Sequence, residues 1–469
     1  MDRRREEALR SVLLKHGQDH CLRFWADLAE PSRQKLAAQI ESFDLELVER
    51  LVRGSSGVPT VPRLADVEEP EVVTLPRTDE ELARRELALR RGLEAIKAGR
   101  VAVLTVAGGQ GTRLGFDGPK GCFPIGPVTD RTLFQVHAEK ILAASRRAGR
   151  PIPWYIMTSE TNDKATREFL RRNSYFGLHP EDVFIFQQEM MPAVTPEGKL
   201  ILEAPDRVFA APNGHGGVLR ALDKSGALDD MTGRGVEHIY YFQVDNPLLP
   251  VPDPVFLGYH IERGAEMSSK VLRKRSSDEP IGTVVALSGK VRVIEYSDIP
   301  LEIREARAPD GSLRFPFGSI AIHALSVAFV ARFARGGCAL PFHRARKKIP
   351  FVDDQGRRVS PSEPNGIKFE MFVFDALEFA ERSVTMEVKR EDEFAPVKNA
   401  VGEDSVATSR KALSELYARW LEACGVRVER LADGSVAGPI EIRPLTADSA
   451  EELARALPPG TEFREGLVL

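Results

Sequence analysis

Cysteine is scarce in this chain. Cys21, Cys122, Cys338 and Cys424 are spread over 469 residues with no CxxC pair. That spacing argues against a disulfide-stapled scaffold and a cysteine zinc site, and fits a reducing cytoplasm. Cys122 reads as a small buried residue rather than a reactive thiol. Long apolar runs are missing too: none approaches the about 18 residues of a membrane helix. The opening MDRRREEALR mixes charges and has no apolar h-region, so no secretory signal is expected. Neither sign of charge is in strong excess. Lys and Arg number 65 against 69 Asp and Glu, a net charge of −4, which argues against a general nucleic-acid binder but leaves room for a local basic pocket. Internal repeats and low-complexity tracts are also absent. What is present, 42% hydrophobic and 29% charged residues, is the balance of a soluble globular protein, long enough for about three domains or one large α/β core with two appendages.

The chain is organised around Val101 to Gly126, VAVLTVAGGQGTRLGFDGPKGCFPIG. Val101 to Val106 is an apolar, β-branched run that predicts a strand buried on both faces. It breaks into Gly108, Gly109 and Gly111, where backbone N–H groups can approach an anion closely. Arg113 and Lys120 lie in the same loop, so a phosphate site is favoured over a structural glycine turn. The spacing excludes two common phosphate motifs. A dinucleotide fingerprint that uses Gly109 and Gly111 needs glycine where Leu114 stands. A Walker loop needs Ser or Thr after its lysine, whereas Gly121 follows Lys120.

The remaining pattern alternates strands with helices, which predicts a parallel, doubly wound sheet with ligands at the carboxyl ends of its strands. Residues 1 to about 52 and Thr78 to Gly99 read as helices, with an extended connector from Gly54 to Pro76. Thr132 to Gly149 and Asn162 to Asn173 read as helices between the strands Pro153–Thr158 and Val183–Gln187. APNGHGG, residues 211 to 217, is a second glycine turn. Its His215 is open to two readings, a surface residue or a ligand contact. The strand His238 to Val244 ends in Asp245-Asn246-Pro247, and Asp245 is either a turn cap or a group placed to hold magnesium or ribose. Shorter strands follow from Ala265, with Gly282 at the start of one and Glu295 near the end of another. Phe369 to Arg382 is a strand or a strand-to-helix transition whose aromatics belong to a core. Glu391-Asp392-Glu393 reads as a solvated turn.

Motifs along the whole chain carry a family resemblance. AGGQGTRLG…PKG, YIMTS, FQQEMMPA, APNGHGG, VDNPL, VIEYSDI, KKIPFVDDQG, PNGIKFEMFVFD and REDEFAPVKNA occur in this order. Together they resemble the UDP-N-acetylhexosamine pyrophosphorylases among the UTP:sugar-1-phosphate uridylyltransferases. The resemblance implies an α/β, mostly parallel nucleotidyltransferase core over residues 99–400, an N-terminal helical region over 1–98 and a small C-terminal α+β domain over 401–469. It implies that Ala107, Gly108 and Gly109 pack on uridine and phosphates, and that Gln188 and Gly214 read the uracil edge. Arg113, Lys120 and Lys398 would neutralise phosphates, and Asp245 would meet Mg²⁺. Gly282, Glu295, Ser319, Lys368, Phe372 and Phe374 would shape the sugar-phosphate side, joined by His215.

Two departures bear on the sugar. His215 stands where the hexosamine enzymes have asparagine and resembles the GHG turn of the UDP-glucose enzymes. Ser319 and Ile322 stand where those enzymes have two further asparagines. The expected reaction joins UTP and a hexose-1-phosphate, with N-acetylglucosamine-1-phosphate first and glucose-1-phosphate second. A nucleotide-sugar-binding protein without turnover is the reading from a different class.

Overall fold

A computed structural model describes residues 3–54, 62–336 and 339–469. Residues 55–61 of the expected connector and Cys338 lie outside them. The chain divides into two compact units, one of Met1–Thr60, Gln188–Val218 and Ala339–Asp375, the other of Val61–Gln187, Leu219–Cys338 and Ala376–Leu469.

The larger unit holds a 10-stranded sheet. Its strands are β1 (Val67–Glu68), β2 (Val101–Val106), β3 (Trp154–Thr158), β4 (Val183–Gln187), β5 (His238–Gln243), β6 (Met267–Arg273), β7 (Thr283–Leu287), β8 (Lys290–Ile294), β9 (Phe317–Ser326) and β10 (Ser383–Glu387). β4, β3, β2 and β5 are neighbours in that order and parallel. β9 is antiparallel between β5 and β6, and β10 pairs in parallel with β6. The result is the mostly parallel α/β core expected from the sequence. β2 lies between β3 and β5 and is covered on both faces, so Val101, Ala102, Val103 and Leu104 are all buried. Its single buried hydroxyl, on Thr105, accepts a hydrogen bond from Trp154 Nε1 at 2.8 Å, which removes the cost of burying an unpaired donor.

The helices begin where their sequence signals stand. Thr78 and Glu81 form a capping box at the start of Asp79–Lys97, leaving fewer orphan N–H groups in the first turn. Thr132 caps Leu133–Ala148, and Gly149, at φ 72°, ends it in a conformation that costs glycine little. The helix Val406–Ala423 is capped by Ser405. Beyond it, buried Glu441 takes the backbone N–H groups of Val128 at 3.0 Å and Thr129 at 2.8 Å, the Thr129 hydroxyl, and Arg131 Nη1 at 3.0 Å. One carboxylate thus ties the C-terminal segment to the loop that leads into Leu133–Ala148.

In the smaller unit, the helices Arg3–Lys15, Glu30–Glu41 and Leu45–Arg53 accompany short two-stranded ladders. Gln18 bonds Gly198 O and Leu200 N, each at 2.9 Å, and Gln39 bonds both backbone groups of Val208 at 2.9 Å. The segment after Pro364 is the strand Gly366–Glu370 followed by a 3₁₀ turn, Val373–Phe379, so the strand-to-helix alternative describes it better than a continuous strand.

One expectation fails. The charge run Glu391-Asp392-Glu393 is part of a short helix, Arg390–Glu393. Glu393 is no solvated residue: its Oε2 lies 2.5 Å from Lys270 Nζ, and Asp253 Oδ2 lies 2.6 Å from the same nitrogen. Lys270 is fully buried on β6, and a buried ammonium needs such partners. A local charge run cannot reveal a lysine more than a hundred positions away.

Asp79–Lys97 packs closely on Pro254–Glu262 through two glycines. A Cβ at Gly92 would collide with the carbonyl oxygen of Pro254, and one at Gly258 with that of Ala88. Both obstacles are backbone, so the helices must separate to admit a methyl group. Gly258→Ala is therefore expected to destabilise the protein by about 3 kcal/mol, the upper part of the range for overpacking. Guanidinium unfolding checks this through the transition midpoint.

Candidate active site

The carboxyl ends of β2 and β5 carry the main constellation of the larger unit. After β2 the chain turns through Ala107, Gly108 and Gly109, and Gln110 bridges to Pro119, with Lys120 N donating to Gly109 O at 3.0 Å. This closes the glycine loop and delivers Lys120 beside the end of β5. There Lys120 Nζ lies 3.1 Å from Asp245 Oδ2, both side chains largely buried. Burial pushes the Asp245 carboxyl up, but the ammonium groups of Lys120 and Lys398 outweigh it and hold the group below the usual carboxylate range. Asp245 is therefore ionised at neutral pH. Its side chain pairs with a lysine rather than capping the following turn.

Lys398 reaches this place through backbone anchors. Asn246 Nδ2 donates to Glu393 O at 2.6 Å, its Oδ1 accepts Ala395 N at 3.2 Å, and Val397 N donates to Asp245 O at 2.9 Å. The segment that ends at Lys398 is laid along Asp245-Asn246. Lys398 Nζ also pairs with Asp404 at 3.3 Å and stands 5.8 Å from the Phe394 ring centroid. Arg113 is exposed on the 3₁₀ turn Thr112–Leu114.

The loop that carries Asp245 is held from behind by Leu133–Ala148. Buried His137 Nε2 donates to Val244 O at 2.9 Å. Lys140 Nζ, also buried, donates to the carbonyls of Pro247 at 2.8 Å, Leu248 at 3.1 Å and Leu249 at 2.6 Å. Gly282, Ser319 and Glu295 form a second group. Ser319 N donates to Gly282 O at 2.8 Å, and a Cβ on Gly282 would sit 3.4 Å from Glu295 Oε2.

The smaller unit holds the rest. Gly214, at φ +86°, lies against the backbone of Met371, whose oxygen a Cβ there would strike. Met371 N donates to Asn213 O, and Gly216 N to Met371 O, both at 2.8 Å. His215 is not a loose surface residue. Its ring stacks on Phe372 at 5.3 Å, and its Nδ1 accepts the N–H of Val373 at 3.2 Å, so the ring proton is on Nε2. Phe374 is 5.1 Å from Phe372. His343 Nε2 meets Asp375 Oδ2 at 2.9 Å behind the same ring. Gln188 is buried, and half-buried Lys368 stands 3.6 Å from Glu370.

Residues 65–415 match the family described as UTP–glucose-1-phosphate uridylyltransferase. The chain belongs to that family. A human protein named UDP-N-acetylhexosamine pyrophosphorylase-like protein 1 is 39% identical over 99% of this chain and 97% of its own length. A Saccharomyces cerevisiae UDP-N-acetylglucosamine pyrophosphorylase is also 39% identical, over 81% of this chain and 80% of its own. The crystal structure of a Trypanosoma brucei uridine diphosphate N-acetylglucosamine pyrophosphorylase, in complex with an inhibitor, has a TM-score of 0.82 and 32% identity, covering 98% of this chain and 95% of that one. The family makes this chain a uridylyltransferase, and its α/β fold is that of the solved relatives.

Several of the residues that hold the site drew no functional reading from the sequence. Ser159, Asn246 and Asp375 lie inside YIMTS, VDNPL and PNGIKFEMFVFD, whereas Asn162 and His343 lie in none of the motifs. His137 and Lys140 occupy helix positions that read as core. A lysine at an apolar helix position is the one local signal that could have drawn attention.

Burial draws His137 down to about 3, and His260, equally buried, also to about 3. A folded-state value below the unfolded one means that the unfolded chain binds protons the native state refuses. Stability from these groups is full above about pH 6.5 and is lost as pH falls toward their folded values, by about 1.4 kcal/mol per pH unit for each. His137→Gln should flatten the pH dependence of unfolding between pH 6 and 4 by that slope, read from denaturant titrations at stepped pH.

Proposed function

We propose that this uridylyltransferase joins UTP and N-acetylglucosamine-1-phosphate to form UDP-N-acetylglucosamine and pyrophosphate. The observation that carries the reading is the Lys120–Asp245 pair beside the glycine loop, at the carboxyl ends of neighbouring parallel strands. In the reaction a phosphate oxygen of the sugar phosphate attacks the α-phosphorus. The bond from that phosphorus to the bridging oxygen breaks, and pyrophosphate leaves with the electron pair. No protein nucleophile is needed, so catalysis is positioning and charge stabilisation. The loop amides and Arg113 hold the triphosphate, Lys120 balances charge growing on pyrophosphate, and Lys398 neutralises the incoming phosphate. Gly282, Glu295 and Ser319 border the sugar phosphate.

Magnesium fits this donor set. It is usually held by one or two carboxylates together with phosphate oxygens rather than by a protein cage, and Asp245 is an ionised carboxylate beside the glycine loop. Asp245 would hold it, and the ion would draw charge from the phosphate oxygens. No helix among the described residues is long and apolar enough to cross a membrane. The free thiols of Cys21, Cys122 and Cys424 support a place in the cytoplasm.

Glucose-1-phosphate is the second reading, and His215 favours it. An imidazole stacked on Phe372 carries a single Nε2 proton, where asparagine would carry both a donor and an acceptor. Pyrophosphate release from UTP and magnesium, compared for the two sugar phosphates, decides between them. The N-acetyl sugar should give the higher kcat/KM. No release with either sugar would overturn the enzyme reading in favour of a binding protein. Lys120→Ala should lower kcat by about 10²–10³-fold, as for loss of one charge-stabilising donor, with the circular dichroism of the folded protein retained. An unchanged kcat removes Lys120 from the mechanism.

A further inference from the structure

Three consecutive carbonyls of the glycine loop converge on two side chains from a neighbouring loop. Asn162 Nδ2 donates to Ala107 O at 2.8 Å and to Gly109 O at 3.2 Å, and Ser159 Oγ donates to Gly108 O at 2.8 Å. Both residues follow β3, just before the helix Asp163–Arg172, and both are buried. The pair also fixes its own orientation. Asn162 Oδ1 accepts the backbone N–H of Ser159 at 2.9 Å, which forces Nδ2 toward the loop. Thr161 Oγ1, 2.9 Å from Ser159 Oγ, can donate to that oxygen and leave the serine proton for Gly108 O.

A trans peptide sets its N–H opposite its C=O. The only cis peptide bond among the described residues is Val251–Pro252. Drawing the carbonyls of Ala107, Gly108 and Gly109 toward Ser159 and Asn162 therefore turns the N–H groups of Gly108, Gly109 and Gln110 the other way. The space there is free at Gly109, where a Cβ would meet nothing within 4 Å. Successive N–H groups on one side of a turn form an anion-binding concavity. Without the two clamps, Lys120 N would still hold Gly109 O at 3.0 Å, but the carbonyls of Ala107 and Gly108 would lose these bonds in a run of two glycines whose peptides rotate easily.

We propose that Ser159 and Asn162 are positioning residues for nucleotide binding: by holding three carbonyls, they aim the amides of Gly108, Gly109 and Gln110 at the triphosphate of UTP. This rests on the uridylyltransferase reading. The amide of Asn162 is the stronger determinant, because its two donors span the first and third carbonyls. An aspartate there keeps the shape and the bond from Ser159 N but sets a carboxylate oxygen against two carbonyls.

The test measures UTP affinity by calorimetry for the wild type, Asn162→Asp, Ser159→Ala and Ser159→Thr, together with KM for UTP and for the sugar phosphate. Asn162→Asp should weaken UTP binding by about tenfold or more, and Ser159→Ala by about threefold. Ser159→Thr, which keeps the hydroxyl, should restore affinity. KM for the sugar phosphate should stay within about twofold, a split that general loosening of the fold would not produce. Unchanged UTP affinity in folded Asn162→Asp and Ser159→Ala overturns the proposal, as does an equal rise in both KM values. Should Asn162→Asp fail to fold, the Ser159 pair of variants decides alone. A wild type that binds UTP but releases no pyrophosphate would instead overturn the uridylyltransferase reading, while the affinity comparison would still judge the clamp.

Discussion

The site is built outward from one ionised carboxylate. Asp245 is buried at the end of β5, where a lone negative charge would be costly, and Lys120 and Lys398 make it tolerable. Each cation comes from a different part of the chain, so their meeting couples the glycine loop to the segment after Glu393. The arrangement is also chemically poised. In the proposed reaction a triphosphate and a sugar phosphate would bring several negative charges into one place, and pre-arranged cations would meet them without reorganisation at the moment of reaction.

Apart from this pair, the larger unit holds a second tier of buried polar contacts. Lys270 binds Asp253 and Glu393, Lys140 gathers three carbonyls after Asp245, and Glu441 clasps the loop before Leu133–Ala148. Each is a charged group placed where water is excluded, and each joins backbone segments that lie far apart in sequence. Removing one partner would leave a desolvated charge, so these groups hold loops in place more strictly than apolar packing alone. Stiff loops would serve the proposed reaction, which depends on position rather than on a reactive side chain.

Much of this was legible in advance. β2 announced itself through an unbroken apolar run, and Thr78 and Thr132 marked their helix starts because capping is a local contact between near neighbours. Arg113, Lys120 and Asp245 stood out for the same reason: glycines, cations and a strand-end carboxylate lie within short stretches. Glu393 did not, because its partner Lys270 sits on another strand. The antiparallel β9 between parallel neighbours was equally hidden, since strand direction leaves no trace in a hydrophobic run.

By itself, then, the sequence determined the periodic elements, their caps, the glycine turns and a family likeness spread over most of the chain, all of which rest on contacts between near neighbours or on ordered motifs. Only the tertiary structure decided that Lys120 pairs with Asp245 within the field of Lys398, that Ser159 and Asn162 grip the carbonyls of the glycine loop, and that His215 stacks on Phe372 with its proton on Nε2. Those outcomes depend on which distant segments meet and in which orientation, a result of the packing of the whole sheet and its loops rather than of any local preference.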